Sequence, residues 1–437
     1  MVHQTGSLLK KVKLSAAALR EVQAARTAMA AQDYPDAVRL FTRALADRET
    51  SGLLRARLLE YRGECHWLLG DFTQAEADYL AAMRATDDPD QVARARVRLG
   101  EVTDFKGAYD AAERIYQQAL AEGTAVNNVM VIGRARRGLG ILSRRHGNTE
   151  RALTHLTQAL AAFRQAGEAR EQARVLTSLG RTRHVRGEYQ QALTAHGEAR
   201  QIFESLNDRW RVIQALNDIG ECHQALYDMA QALAYHEQAL QMAEVEETDL
   251  LKPEIQRNLG IDLIELGRYD DGVASLQESL AGARALGNRE QEALILYHLA
   301  RAELRHEQIV SASGLAAELS AVADLLDADR YQALAALVRG ELSYLVGDRE
   351  TAVAELNAAM LASQTAMDRG GLWKLHAVMS NVVTDKAVAS VHLSIALEFI
   401  RQTVEPLQDP QLRATFLYAP PVLAVLQAAG VSPETLL

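Results

Sequence analysis

Apolar and small residues recur along this chain on two scales. Locally, Leu, Ile, Val and Ala return at the three- and four-residue spacing that paints one face of a helix. Over a longer range the whole pattern repeats every 40 residues. Gly100, Gly140, Gly180, Gly220 and Gly260 fall on that step, Ala300 takes the next and Gly340 the one after. Leu99, Leu139, Leu179, Ile219 and Leu259 precede the first five. A fixed period of this size marks stacked supersecondary units, because one unit cannot bury its apolar face without its neighbours.

The glycine serves as a ruler within each unit. Seven residues after it stand Gly107, Gly147, Gly187, Gly267 and Gly347. Twelve after it come Ala112, Ala152, Ala192, Ala232, Gly272, Ala312 and Ala352, and nineteen after it Ala119, Ala159, Ala199, Ala239, Ser279, Leu319 and Ala359. Small residues at these steps predict two antiparallel helices that cross closely. The glycine seven residues on predicts a left-handed residue that ends the first helix. An aromatic often follows it, as in GAYDAA (107–112) and GEYQQA (187–192), and only 8 Pro in 437 residues leave long helices uninterrupted.

This pattern resembles the tetratricopeptide repeat, a helix–turn–helix unit, over nearly the whole chain. The commonest form of that repeat is shorter, about 34 residues. Longer repeats like these are similar to those of kinesin light chains and of scaffolds that orient mitotic spindles. The resemblance implies an all-α fold, a right-handed superhelical solenoid of about ten units. The first is Ala25/Ala37/Ala44 and the second Gly63/Ala75/Ala82 with Gly70 in its turn. Seven regular units run from Gly100 to Ala359, and a degenerate tenth holds Trp373, Ala377, Ala389 and Ala396. The expected organisation is a tail over residues 1–13, the array over 14–407, and a capping segment over 408–437 set off by Pro410, Pro420 and Pro421. Irregularity is expected near 300–320, where Glu307 replaces the turn glycine and Ser311, Ser313 and Gly314 interrupt the second helix, and again near 365–400.

Composition narrows the function. The net charge of −10 argues against a general nucleic-acid binder. Cys65 and Cys222 each sit two residues after a repeat glycine, four repeats apart, and so read as reduced structural thiols of a cytoplasmic protein. No secretory signal stands out, and no stretch approaches the length of uncharged apolar sequence that a membrane span needs. Hydrolase, phosphate-loop and metal motifs are missing. His223 and His236 fall at repeat positions and read as structural. Asp87, Asp88 and Asp90 read as a helix start. The expectation is a chain with no catalytic residues, no cofactor and no metal.

Charge is unevenly spread. Residues 130–190 hold twelve Arg, no Lys and four Glu, an excess of eight positive charges. In the tetratricopeptide fold the first helix of each unit lines the concave face. The resemblance therefore places Arg134, Arg137, Arg144, Arg174, Arg181 and His184 in a groove, together with Glu254 and Arg257 of a later unit. Guanidinium forks suit carboxylates and phosphates. Asn217 and Asn258 follow in successive units, and a related asparagine in peptide-binding members holds ligand backbone. Further along the groove turns apolar at Tyr297, Leu334, Leu337 and Tyr344. The main expectation is a bacterial-type adaptor or sensor that binds an acidic or carboxylate-bearing peptide and passes that event to a protein partner. The alternatives are a self-assembling oligomer, the sensor module of a larger signalling system (ATPase, cyclase or transcription regulator), and, against the overall charge, a nucleic-acid-associated regulator.

Overall fold

The computed structural model describes residues 15–246, 248–363 and 369–437. The tail expected over 1–13 lies outside them. Among the described residues the fold is all-α, built from consecutive helix pairs, and two compact units divide it, one of residues up to 144 with 150–168, the other of 145–149 with 169–437. The first unit holds α1 (Ala16–Ala30) with α2 (Tyr34–Ala46), α3 (Gly52–Leu68) with α4 (Phe72–Arg84), α5 (Pro89–Phe105) with α6 (Tyr109–Ala125), and α7 (Val129–Arg145) with α8 (Thr149–Ala166). The second holds α9 (Ala169–Val185) with α10 (Tyr189–Ser205), α11 (Arg209–Ala225) with α12 (Met229–Val245), α13 (Lys252–Glu265) with α14 (Tyr269–Ala285), and α15 (Arg289–Arg305) with α16 (Ile309–Leu326). It continues with α17 (Asp329–Leu345) and α18 (Arg349–Ser363), α19 (Arg369–Val382) and α20 (Lys386–Val404), and two short helices, α21 (Pro410–Leu417) and α22 (Pro420–Ala428).

Each pair is set by one close crossing. A Cβ on Gly100 would lie 2.7 Å from the Tyr116 ring, one on Gly140 2.7 Å from Leu156, and one on Gly220 2.3 Å from His236. The intruding side chain always comes from sixteen residues on, in the second helix of the same pair. Where Ala300 replaces the glycine, the residue sixteen on shrinks to Ala316, and both are buried. The chain thus conserves volume at the crossing rather than glycine as such. The turn behaves likewise. Gly107 ends α5 at φ +80°, and where the repeat lacks glycine Tyr227 and Glu307 take the same left-handed turn at φ +60° and +55°. A side chain there strains the backbone by about 1–2 kcal/mol, so packing around those two turns offsets a local cost.

The region 300–320 corrects the expected irregularity. α16 runs unbroken for 18 residues. Ser311, Ser313 and Gly314 all lie on its exposed side, while Ala312, Ala316, Leu319 and Ala323 seal the other against its neighbours. On a solvated face the serines cost about half a kcal/mol each and the glycine about 1 kcal/mol, and the well-packed opposite face offsets this. The same helix is long and apolar enough to cross a bilayer by length and composition, although Glu318 and Asp324 interrupt it and one edge packs into the helix array.

The C-terminal segment does more than cover the last pair. Tyr189 and Leu226 join Trp373, Ile400, Leu407, Phe416, Val422 and Leu426 in one buried cluster. The Tyr227 and Phe416 rings lie 6.3 Å apart, and the Gln190 side-chain oxygen accepts from the backbone N–H of Gln408 and of Asp409, at 2.5 and 3.2 Å. Residues 408–437 therefore rest on α19–α20 and on the turn edge of the α9–α10 and α11–α12 pairs at once.

Two outcomes follow from this packing. Gly100→Ala should destabilise by about 1–3 kcal/mol. In a Tyr116→Ala background, which copies the Ala300/Ala316 crossing, the same change should cost less. Equal costs in both backgrounds, measured by urea unfolding, would sink the volume account. Phe416→Ala should raise amide hydrogen exchange in residues 410–428 and also around Tyr227, and a rise confined to the C-terminus would contradict the docking.

Candidate functional site

The first helix of each pair presents a row of charged and polar side chains, and these link one repeat to the next. In the first unit, Arg98 bonds Glu64 at 2.9 Å and Glu101 at 3.1 Å, and Arg137 bonds Glu101 from the other side at 3.0 Å. Four groups from three successive pairs thus form a ladder of alternating sign. Arg134 of the same unit is buried, and Arg144 is half-buried. The predicted groove arginines of this unit are built into the helix stack.

The second unit carries a denser network. Arg174 stands 3.5 Å from buried Glu171. Arg181 donates through Nε to both oxygens of Asp218 at 3.1 Å. Asp218 also faces the Nδ1 of His196 at 3.5 Å, and burial drives that fully enclosed imidazole down to about 4. His184 lies 3.5 Å from Cys222, whose thiol burial holds well above its ordinary value. Asn217 and Asn258 meet each other: the Asn258 amide donates to Asn217 Oδ1 and to Glu221, both at 2.9 Å, while its oxygen accepts from Arg257 at 2.8 Å. Arg257 also reaches Gln291 at 2.6 Å and Glu221 at 3.2 Å. Both asparagines are nearly fully buried and fix the Arg257 and Glu221 side chains in place.

Later repeats continue the row. Arg301 grips both oxygens of Glu341 at 3.0 and 3.1 Å and the Tyr297 hydroxyl at 3.0 Å. Lys374 stands over the Tyr227 ring, 5.3 Å from its centroid. This contact joins the tenth pair to the sixth, so the row of this unit faces itself across its interior. The expected apolar stretch is corrected in part. Leu334 and Leu337 are buried at 8% and 3% exposure, inside core clusters between helices, and offer no contact surface, while Tyr297 and Tyr344 stay half-buried. Those leucines follow the groove register, but α15, α17 and α19 pack tightly enough to enclose them.

Sequence register could have found Arg301 and Glu341, one residue after Ala300 and Gly340, where Arg181 and Glu221 stand in their own repeats. Lys374 was hidden by a slip of phase. The tenth repeat begins 37 residues after the ninth, at Ala377, and only then does Lys374 fall at the position of Asn217, Arg257 and Tyr297. Tyr227 carried its own signal as a non-glycine residue in the turn position.

Family models described as tetratricopeptide repeat match residues 22–91 and 171–244. The chain carries tetratricopeptide repeats. No curated protein matches it. Among solved structures, a Rap protein complexed with competence and sporulation factor superimposes with a TM-score of 0.64 at 14% identity, over 80% of this chain and 99% of that one. The Rap conjugation gene regulator of plasmid pLS20 in complex with the Phr* peptide gives 0.57 at 15% identity, over 81% and 98%. The apo quorum sensor NprR from B. thuringiensis gives 0.57 at 12%, over 79% and 98%. At these identities the likeness is one of fold. The repeat glycines account for the row's regular register, since the first helix of each pair meets its partner sixteen residues on.

The depressed His196 makes stability depend on pH. Between its ordinary value of 6.5 and about 4, the unfolded chain binds a proton that the native imidazole refuses. Its contribution is therefore complete above 6.5 and is lost as pH falls toward 4, by about 3 kcal/mol at most. His196→Leu, which copies Leu156 and Leu276 at the same register, should flatten the fall in urea midpoint between pH 7 and pH 4.5. An unchanged slope would assign the acid sensitivity elsewhere.

Proposed function

We propose that this chain is a peptide-responsive interaction protein, and that the polar interior row of its second unit receives a carboxylate-bearing peptide segment. The observation that carries this reading is the contact of Lys374 with Tyr227, which joins the tenth pair to the sixth beside a row of charged and polar groups that are buried or half-buried, Asp218, Asn258 and Arg257 among the buried. Enclosed, pre-positioned guanidinium and amide groups gain strength from the lowered local dielectric and are already ordered before a ligand arrives. Two of the similar folds were solved with bound factors, the competence and sporulation factor and the Phr* peptide, and a third is described as a quorum sensor. These support a sensing role. Both Cys65 and Cys222 are free and buried, which suits a reducing, cytoplasmic setting.

Transmission to a protein partner finds a surface on the first unit. The rings of Trp67, Phe72 and Phe105 cluster with centroids 4.3–5.4 Å apart, Trp67 edge-on to the other two; Phe105 is 61% exposed, and Leu68 and Leu69, which follow Trp67, are exposed as well. Aromatic clusters of this kind are preferred contact anchors. The same patch suits self-association, and light scattering over a concentration series separates the two.

The reading is tested by incubating the protein with a random library of short, free-ended peptides and identifying those retained on ultrafiltration by mass spectrometry. Retention of a carboxylate-rich subset is expected. Failure to retain any peptide, with binding of nucleic acid that falls steeply with salt instead, would replace it with the regulator alternative.

A further inference from the structure

α16 is the second helix of the repeat at Ala300, and one whole side of it is apolar and uncovered. Val310 is 90% exposed and Leu325 73%, with Gly314, Ala317 and Ala321 exposed between them. Steps of four, three, four and four residues place all five along one side of the helix. A Cβ built on Gly314 would meet nothing within 4 Å. The other regular repeats are filled differently. At the same five steps after the repeat glycine, their second helices carry Asp110, Glu150, Gln190, Glu237, Asp270 and Glu350 in turn. Charged and amide side chains suit a solvated face, and in α16 that register holds none.

The polar groups beside this face indicate what covers it. α16 contains no Lys and no Arg, and its charges are Glu318 and Asp324. A helix that rests on lipid carries cations beside its apolar face and bulky side chains on it. Here the flanks are acidic and the middle of the face is Gly and Ala. Glu318 is neutralised within its own chain by Arg284 of α14 at 2.6 Å, and Asp324 accepts from the Gln332 amide at 3.0 Å. Small side chains with neutralised flanks suit a second helix at short interaxial distance.

Any helix face reads alike in both directions, but the residues that fill this one also match each other. Laid antiparallel on a second copy, with a two-fold axis between Ala317 and Glu318, Val310 faces Leu325 and Gly314 faces Ala321. The Ser311 hydroxyl then faces the Asp324 carboxylate. A two-fold contact requires one patch to complement itself, and here apolar meets apolar, small meets small and donor meets acceptor. The Glu318 pair falls nearest the axis, and Arg284 removes its repulsion. We propose that α16 is the contact helix of a homodimer, packed antiparallel on the α16 of a second copy. This assignment is independent of the peptide-binding reading. One helix pair is small for a stable interface. Ala354, Ala358 and 73%-exposed Leu361 continue the small, apolar surface on α18, the second helix of the next repeat. The expected dissociation constant is roughly micromolar.

The test uses the full chain, whose mass is 48.0 kDa. Sedimentation equilibrium at about 100 μM should return the dimer mass. Ala321→Arg sets a bulky cation against Gly314 and should weaken association about tenfold or more. Circular dichroism should not change, because residue 321 is exposed in the single chain. Cysteine variants read the register, since the native Cys65 and Cys222 are buried. A mixture of Gly314→Cys and Ala321→Cys proteins should form a disulfide-linked dimer on mild oxidation, while neither variant should link to itself, because only opposed residues come within disulfide reach. Self-linking of Gly314→Cys would mean a parallel pair and overturn the arrangement. A monomer at the stated concentration would overturn the dimer itself. So would a dimer that survives Ala321→Arg but is lost in Phe105→Ser, which would move the contact to the aromatic cluster of the first unit. Flotation of a monomeric chain with phosphatidylcholine vesicles would make lipid the occupant and overturn the second copy. The wild-type mass decides the first point without any variant.

Discussion

The close crossing at each repeat glycine is the constraint on which the other features depend. A side chain from the second helix enters the space that a Cβ would occupy, and this sets the depth at which the two helices pack. Because Tyr116, Leu156, His196, His236, Leu276 and Leu356 all enter at one register, each first helix is held at the same height as the next. The exchange to Ala300 with Ala316 shows that total volume, not glycine, is the conserved quantity. Close packing tolerates such reciprocal changes and resists one-sided ones.

That regularity lets charged groups form ladders. Residues one position after the glycine and two or three before it line up from repeat to repeat, so Glu64, Arg98, Glu101 and Arg137 bridge three pairs in the first unit, and Asn217, Glu221, Arg257 and Asn258 bridge two in the second. Burial makes these links demanding. A buried carboxylate such as Asp218, at 3% exposure, is tolerable only because Arg181 meets both of its oxygens. The arginine excess near the middle of the sequence is thus mostly internal structure. A bare count of charges overstates how much of it faces a ligand. The chemically informative groups are the few that the ladders leave over.

In the second unit the C-terminal segment adds a tertiary restraint unrelated to the repeat. Prolines begin α21 and α22, whose buried Phe416, Leu417, Val422 and Leu426 join residues of the last pair to Tyr189 and Leu226, far back in the sequence. Tyr227 is central to this. Its left-handed turn places the ring where Phe416 packs against it and where Lys374 finds a partner. A glycine, the residue that local geometry prefers, would have removed both contacts. The strain at that turn is offset by contacts with Lys374 and Phe416, far along the chain.

What the sequence alone determined is the architecture: the period, the two-helix unit, the left-handed turns, the ten pairs and the short C-terminal helices follow from small residues at fixed steps, because sterics act locally and repeat. It also marked most of the charged row, since register along a helix is a local property. Tertiary structure alone decided which of those charges are already used. Arg137, Arg181, Asn217 and Asn258 read in sequence as open ligands, yet their partners Glu101, Asp218 and Glu221 come from neighbouring repeats, and the distances that pair them depend on how successive units stack. Leu334 and Leu337 became core for the same reason. Lys374 entered the row only through a repeat three residues short and a long-range contact with Tyr227. Periodicity encodes what each unit is, whereas burial and pairing depend on which side chains neighbouring repeats bring together, and that is a property of their packing and not of local sequence.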